Sequence, residues 1–201
     1  MPISKAQLGE YQHYVIADMS NSMQEPSVRM KGRTRWDEMQ EHVTGLCHYL
    51  LGVDDDGITI IPFSSQVGKI SDNIKTGEDV KRIFSALSPR GTTNLAAAID
   101  AAQEHRKRLQ QGKAIFHIFT DGEPDSESAV AEAIGRIVRT MNDDSETAIN
   151  ILQVGDDEKA GRFLKRLDDN LNFKFDIVNA MTVTESEGLS YEDIMDRALN
   201  D

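Results

Sequence analysis

Apolar runs punctuate the chain at intervals, and between them apolar positions recur at helical spacing. The first run, about 11–18, carries His13-Tyr14-Val15-Ile16-Ala17 and stops at Asp18. An apolar stretch of that length predicts a strand buried on both faces, as in a parallel sheet covered by helices. Pro26 and Gly32 mark a loop. Thr34-Arg35-Trp36-Asp37 then opens a helix with a capping hydroxyl, and Trp36, Met39, Val43, Leu46, Cys47 and Leu50 form its buried stripe. Residues 58–63 predict a second strand. A short edge strand is expected over 66–70, because Pro62 and Gly68 would disturb a central one. Thr76 caps a helix with the stripe Val80, Ile83, Phe84 and Leu87, and an alanine-rich helix runs from Thr92-Thr93-Asn94 through Gln110. A third strong strand, 114–120, again ends at an aspartate, Asp121. Beyond it the pattern predicts a helix over 126–141, a strand over 148–154 and a helix through Phe163, Leu164 and Leu167. A last strand is expected near 173–178, then a helix from Tyr191 to Leu199 docked on the sheet.

Strands alternating with helices imply right-handed crossovers. The fold class is therefore α/β: a doubly wound, mostly parallel, Rossmann-like sheet with helices on both faces and one short antiparallel edge strand. Residues 11–201 are read as one domain, preceded by a polar, flexible arm over 1–10.

Charge narrows the partners. The chain carries −12, and residues 121–201 hold 20 acidic against 8 basic side chains while residues 1–120 balance at 14 of each. Nucleic-acid and anionic-membrane binding depend on neutralising phosphate, so both are excluded as expectations. No apolar run approaches the roughly 20 residues that span a bilayer. Residues 1–7 lack the apolar core of a secretory signal, and the single Cys47 excludes an intrachain disulfide and a cysteine zinc site. A cytoplasmic location is expected.

The candidate chemistry lies at strand ends. Asp18-Met19-Ser20-Asn21-Ser22 places a carboxylate and two hydroxyls on one loop, where open α/β sheets bind ligands. Adjacent parallel strands lie about 4.8 Å apart, so Asp121 can converge with Asp18 on one ion. Thr93, before the alanine-rich helix, supplies a further hydroxyl. Asp18, Ser20, Ser22, Thr93 and Asp121 are all hard oxygen donors, suited to Mg²⁺, with Mn²⁺ or Ca²⁺ as alternatives. Three neutral hydroxyls and two carboxylates leave a divalent ion electrophilic, able to take a carboxylate from a partner.

Asp18-Met19-Ser20-Asn21-Ser22, Gly91-Thr92-Thr93-Asn94 and Phe119-Thr120-Asp121-Gly122 resemble the metal-ion-dependent adhesion site of von Willebrand factor A domains, in that family's order. The resemblance implies a Mg²⁺-dependent protein-binding module rather than an enzyme, whose partner contributes an acidic side chain to the metal. It also implies the stand-alone intracellular branch, similar to bacterial and phage proteins of the tellurite-resistance-associated type. Some intracellular members work as adaptors beside AAA+ ATPases or kinase-like proteins. Asn21 stands where many members have glycine, a replacement that left-handed backbone tolerates better than other side chains.

Around this set, Arg29, Lys31, Arg33 and Arg35 crowd one loop and suggest steering of an acidic partner; a solvated loop is the plainer reading. Asn21, Arg29, Arg33, Thr92 and Glu123 form the expected partner-binding rim. Asp125 or Ser126 caps the next helix. The five histidines show no metal spacing, and His117 reads as a packed strand residue. The competing class is a Mg²⁺-dependent phosphoryl-transfer enzyme using the same aspartates. A haloacid-dehalogenase-like phosphatase needs a second Asp where Ser20 stands, and no phosphate loop or nucleophile elbow is present.

Overall fold

The computed structural model describes residues 3–169, 171 and 173–200. Its strands are β1 (Gln12–Asp18), β2 (Ile58–Phe63), β3 (Ser71–Ile74), β4 (Ala114–Thr120), β5 (Thr147–Gln153) and β6 (Val178–Thr182). They form one sheet in the order β3-β2-β1-β4-β5-β6, parallel throughout except for the antiparallel β2–β3 pair. The expected mostly parallel architecture with one antiparallel edge strand is what the chain adopts.

Burial explains why the inner strands are apolar runs: helices cover both sheet faces. On one face lie α1 (Lys5–Leu8), α2 (Arg35–Leu50), α3 (Gly77–Ser85), α7 (Val183–Ser186) and α8 (Tyr191–Asn200), packed over Val15, Ala17, Ile115, Phe119 and Leu152. On the other, α4 (Leu95–Arg108), α5 (Glu127–Val138) and α6 (Glu158–Asp169) cover Tyr14, Ile16, Phe116, Ile118 and Ile151. The helices start where short polar side chains satisfy their first free N–H groups: Thr34, Thr76, Asn94 and Ser126 each accept from the backbone three residues on. Among the described residues, no helix is long and apolar enough to cross a membrane.

Two strands lie elsewhere than expected. The edge strand is Ser71–Ile74, not 66–70: Gly68 N–H donates to the Pro62 carbonyl at 2.7 Å and Ser64 N–H to that of Gln66 at 2.9 Å, which turns the segment back on itself. The last strand is Val178–Thr182 rather than 173–178. Phe173 and Phe175 pack into the core without joining the ladder, and the Phe173 ring lies against Gly135 of α5.

Residues 3–10, expected as an arm, contain α1. Ser4 and Gln7 form a reciprocal capping box, Leu8 is 0% exposed in the core, and Ile3 N–H donates to Asp196 Oδ1 at 2.9 Å. Leu8→Ala should cost about 3 kcal/mol of unfolding free energy, as a buried leucine truncation does. Urea denaturation measures it; a loss near zero would show α1 undocked in solution.

A polar row crosses the apolar face beneath α2 and α8. His117, Asn150 and Asn179 sit at one register on β4, β5 and β6, and Asn179 Nδ2 donates to Asn150 Oδ1 at 2.9 Å. The histidines, scattered in sequence, include one intimate pair: His13 Nδ1 and His117 Nε2 are 3.0 Å apart, with stacked rings.

Candidate metal centre

In this sheet β1 leads leftward to β2, and the chain later returns to the right of β1 as β4. The carboxyl ends of β1 and β4 thus flank the switch point where doubly wound folds place ligands. Asp18 ends β1, and Asp121 follows Thr120 at the end of β4.

Both carboxylates are 0% exposed. Asp18 Oδ1 accepts the Ser20 N–H at 2.8 Å and Oδ2 accepts the Thr120 hydroxyl at 2.7 Å. Ser20 Oγ lies 3.1 Å from Ser22 Oγ, and Ser22 Oγ donates to Asp121 Oδ1 at 2.8 Å. A continuous hydrogen-bonded path therefore links the β1 loop to the β4 loop. Ser22 and the backbone of this loop are held by a tight turn, Asn21–Gln24.

The third loop is pinned between them. Arg90 N–H donates to Met19 O at 2.7 Å, and Asn21 N–H donates to Gly91 O at 3.0 Å. Gly91 has φ +78°, and a Cβ there would collide with Ser65, so the loop can lie close only with glycine at that position. Asp125 then clamps it from the β4 side. Its carboxylate accepts the Thr92 hydroxyl at 2.7 Å and the Thr93 N–H at 3.0 Å, while its own N–H donates to Thr93 O at 2.9 Å. Asp125 is thus a loop clamp, and Ser126 caps α5. Ser22, Thr93 and Asp121 line one cleft with Glu25, Arg35, Gly122, Glu123, Asp157, Glu158, Lys159 and Arg162.

Burial dominates the electrostatics. Loss of water pushes Asp18 up to about 7, with the Asp121 charge adding to the rise and the Thr120 and Ser20 hydrogen bonds opposing it. Burial likewise raises Asp121, opposed by Arg35 and Ser22. Two buried carboxylates, with the charge of Asp121 disfavouring that of Asp18, ringed by hydroxyls, form an oxygen-only set that fits a small hard cation. Among the described residues, no group of three or more His, Cys, Asp or Glu gathers as a metal site, so two carboxylates are the most this one offers. Asp18, Ser20, Ser22, Thr93 and Asp121 are the residues that would hold the ion.

The expected rim is divided by the structure. Glu123 lines the cleft. Thr92 is held by Asp125, and Asn21 lies exposed on the adjoining turn. Asn21 does not use left-handed backbone; among the described non-glycine residues only Asn73 and Gln110 have positive φ, so the side chain there is unstrained. Arg29 and Arg33 do not line the cleft. Arg29 pairs with Glu38 and Glu187, and Arg33 lies 3.2 Å from Glu41. Of the four clustered basic residues, Arg35 is the one that reaches the centre: its Nη1 donates to Asp121 Oδ2 at 2.9 Å. Sequence reasoning left it out of the rim. Its position directly after the Thr34 cap, on the first turn of a rigid helix, was the available signal.

The sequence model of the von Willebrand factor type A domain matches residues 14–123, more than half of the chain. The chain belongs to this family, whose domains commonly mediate protein–protein interaction and are typically non-enzymatic. Solved structures share the fold. Manganese-loaded Plasmodium vivax TRAP protein superposes with TM-score 0.59 at 19% identity, over 92% of this chain and 72% of its own. The SpRpn10 VWA domain gives 0.58 at 12% identity, over 86% and 88%. The PilB minor pilin from Streptococcus sanguinis, as a D319A mutant, gives 0.62 at 13% identity, over 88% and 58%. No curated protein matches significantly.

Proposed function

We propose that the chain is a divalent-cation-dependent protein-binding module, in which Mg²⁺ (or Mn²⁺) held by the three loops accepts an acidic side chain of a partner protein. The observation that carries this reading is the hydrogen-bonded path Ser20–Ser22–Asp121, which joins two strand ends in a cleft shared with Thr93. Manganese in the Plasmodium vivax TRAP structure supports a divalent ion in the family.

The bound ion supplies a Lewis-acid position for a carboxylate oxygen. The chain's own residues do the rest. Asp18 and Asp121 provide the two negative charges, and the Ser20, Ser22 and Thr93 hydroxyls provide neutral donors that leave the charge uncancelled at the rim. Asp125 and Gly91 fix the loop spacing before any partner arrives, which lowers the ordering cost of binding. The absence of a nucleophile elbow and phosphate loop in the sequence supports binding rather than turnover.

The reading extends to an adaptor in the cytoplasm, of the tellurite-resistance-associated type, beside an AAA+ ATPase or kinase-like protein. A lone buried Cys47, its thiol pushed up to about 12 by burial, is compatible with a reducing compartment.

Thermal unfolding with and without Mg²⁺ and Mn²⁺ tests the metal, with affinity capture in EDTA as the companion measurement. A rise in melting temperature by several degrees at millimolar metal is expected, lost in Asp121→Ala. Capture of an acidic partner should vanish in EDTA. A melting temperature indifferent to both ions, with metal-independent capture, would overturn the proposal.

A further inference from the structure

Arg35 sits in the centre as a fixed cation. Its backbone N–H donates to Glu25 O at 2.9 Å, anchoring the first turn of α2 to the end of the metal loop. Its Nη1 lies 2.9 Å from Asp121 Oδ2 and 3.0 Å from Glu25 Oε2, so one nitrogen bridges two carboxylates. The two are unlike: the Asp121 side chain is 0% exposed, that of Glu25 59%, and that of Arg35 13%. The seat is specific. Gly155, just beyond β5 with φ +81°, lies so close that a Cβ there would stand 2.8 Å from Arg35 Nε. Bare backbone thus makes room for the guanidinium.

We propose that Arg35 is the resident counter-cation of this centre, competing with the divalent ion for Asp121 and so setting the metal concentration at which the site loads. The inference rests on Asp121 being a metal residue, as proposed above. Asp121 has two oxygens, and both are committed: Oδ1 to the Ser22 hydroxyl, Oδ2 to Arg35. A buried carboxylate left without a cation is costly, and Arg35 meets that cost in the metal-free protein. A divalent ion entering the same cleft meets a positive charge already seated on Asp121, which weakens its binding. Glu25 offers Arg35 a second, wetter partner when Asp121 turns to the metal. The device makes loading an exchange of one cation for another, and the metal-free chain stays folded.

The test is Mn²⁺ titration of the full chain, followed by calorimetry and by melting temperature, for wild type, Arg35→Gln and Gly155→Ala. In Arg35→Gln the loading midpoint should fall by about tenfold or more. Its metal-free melting temperature should also drop, so that the metal-induced rise exceeds that of wild type. Gly155→Ala keeps every charge and crowds the guanidinium, at the cost of backbone strain at φ +81° that lowers its melting temperature with and without metal alike; its midpoint should fall in the same direction, by less. Wild type that loads with metal, beside an Arg35→Gln midpoint that is unchanged or raised, overturns the role of Arg35 and leaves the metal reading intact. If Arg35→Gln fails to fold, an unchanged or raised midpoint in Gly155→Ala decides against it. No metal response in any of the three chains removes the metal reading itself, and this inference with it.

Discussion

Asp18→Asn is expected to stabilise the metal-free protein at pH 8 while abolishing its response to Mg²⁺ or Mn²⁺. Asp18 is wholly buried, and burial is the main reason its carboxyl is pushed up to about 7 from an ordinary 3.8. A carboxyl raised in the folded state holds its proton where the unfolded chain has lost it. Its stabilising contribution is therefore present at low pH and is lost as pH climbs from about 4 through 7. By pH 8 the ionised group costs the metal-free fold about 4 kcal/mol relative to an ordinary carboxylate. Asparagine has the same shape. Its oxygen still accepts the Ser20 N–H, and the Thr120 hydroxyl can turn to accept from its nitrogen. Urea denaturation in EDTA should show a gain for the variant at pH 8 that is smaller by about 3 kcal/mol at pH 5, where wild-type Asp18 is protonated. An equal gain at both pH values would mean that Asp18 ionises normally. The neutral amide brings no charge to a cation, so the metal-induced rise in melting temperature should disappear. The same side chain is thus a liability to the bare fold and a requirement of the proposed site, a trade met where function demands a buried charge.

How much of this was legible beforehand depended on where each residue lies in the sheet. Strands β1, β2, β4 and β5 announce themselves because both their faces are covered, so nearly every side chain must be apolar. At the edges that pressure vanishes. Ser71-Asp72-Asn73-Ile74 and Val178-Asn179-Ala180-Met181-Thr182 carry polar residues that a strand reading passes over, while the nearby Phe173 and Phe175 draw the eye and pack elsewhere. The Ser4–Gln7 capping box was visible in sequence, and a polar composition around it concealed the buried Leu8 that docks the segment. The five oxygen donors were readable as a motif because each follows a recognisable strand or precedes a recognisable helix. Charge alone did not distinguish Arg35 from Arg29, Lys31 and Arg33; its place directly after the Thr34 cap was the local signal, and the Gly155 backbone, 120 residues away, leaves the space for its guanidinium that no local pattern shows. His13 and His117 are paired by the β1–β4 register alone, which no local pattern encodes.

That histidine pair gives the second large effect, of opposite sign to the first. His13 Nε2 lies 3.1 Å from the Leu8 carbonyl, which can only accept, so His13 carries its proton there and presents a bare Nδ1. His117 Nε2–H must then donate to His13 Nδ1, which leaves His117 Nδ1 as an acceptor, buried without a hydrogen-bond partner. Burial keeps both rings neutral, lowering His13 to about 4 and His117 well below its ordinary 6.5. A base depressed in the folded state binds its proton less readily than in the unfolded chain. Stability is then complete above pH 6.5 and is lost as pH falls from 6.5 towards 4, by about 3 kcal/mol for His13 alone. Asp18 works against this loss over the same interval, so the wild-type profile should be flatter than either group implies. The separation comes from a variant with both rings replaced, His13→Leu and His117→Leu together. Removing both members of a buried pair should cost little at pH 7, and Leu8 O keeps the Tyr11 N–H at 3.0 Å. His117→Leu alone should cost about 1–3 kcal/mol more than the pair, because it strands the His13 acceptor. Between pH 7 and pH 4 the stability difference between double variant and wild type should shift by about 3 kcal/mol or more in favour of the variant. Urea melts at the two pH values decide it: a difference that does not move with pH would mean that the rings take up protons in the fold as readily as in the unfolded chain.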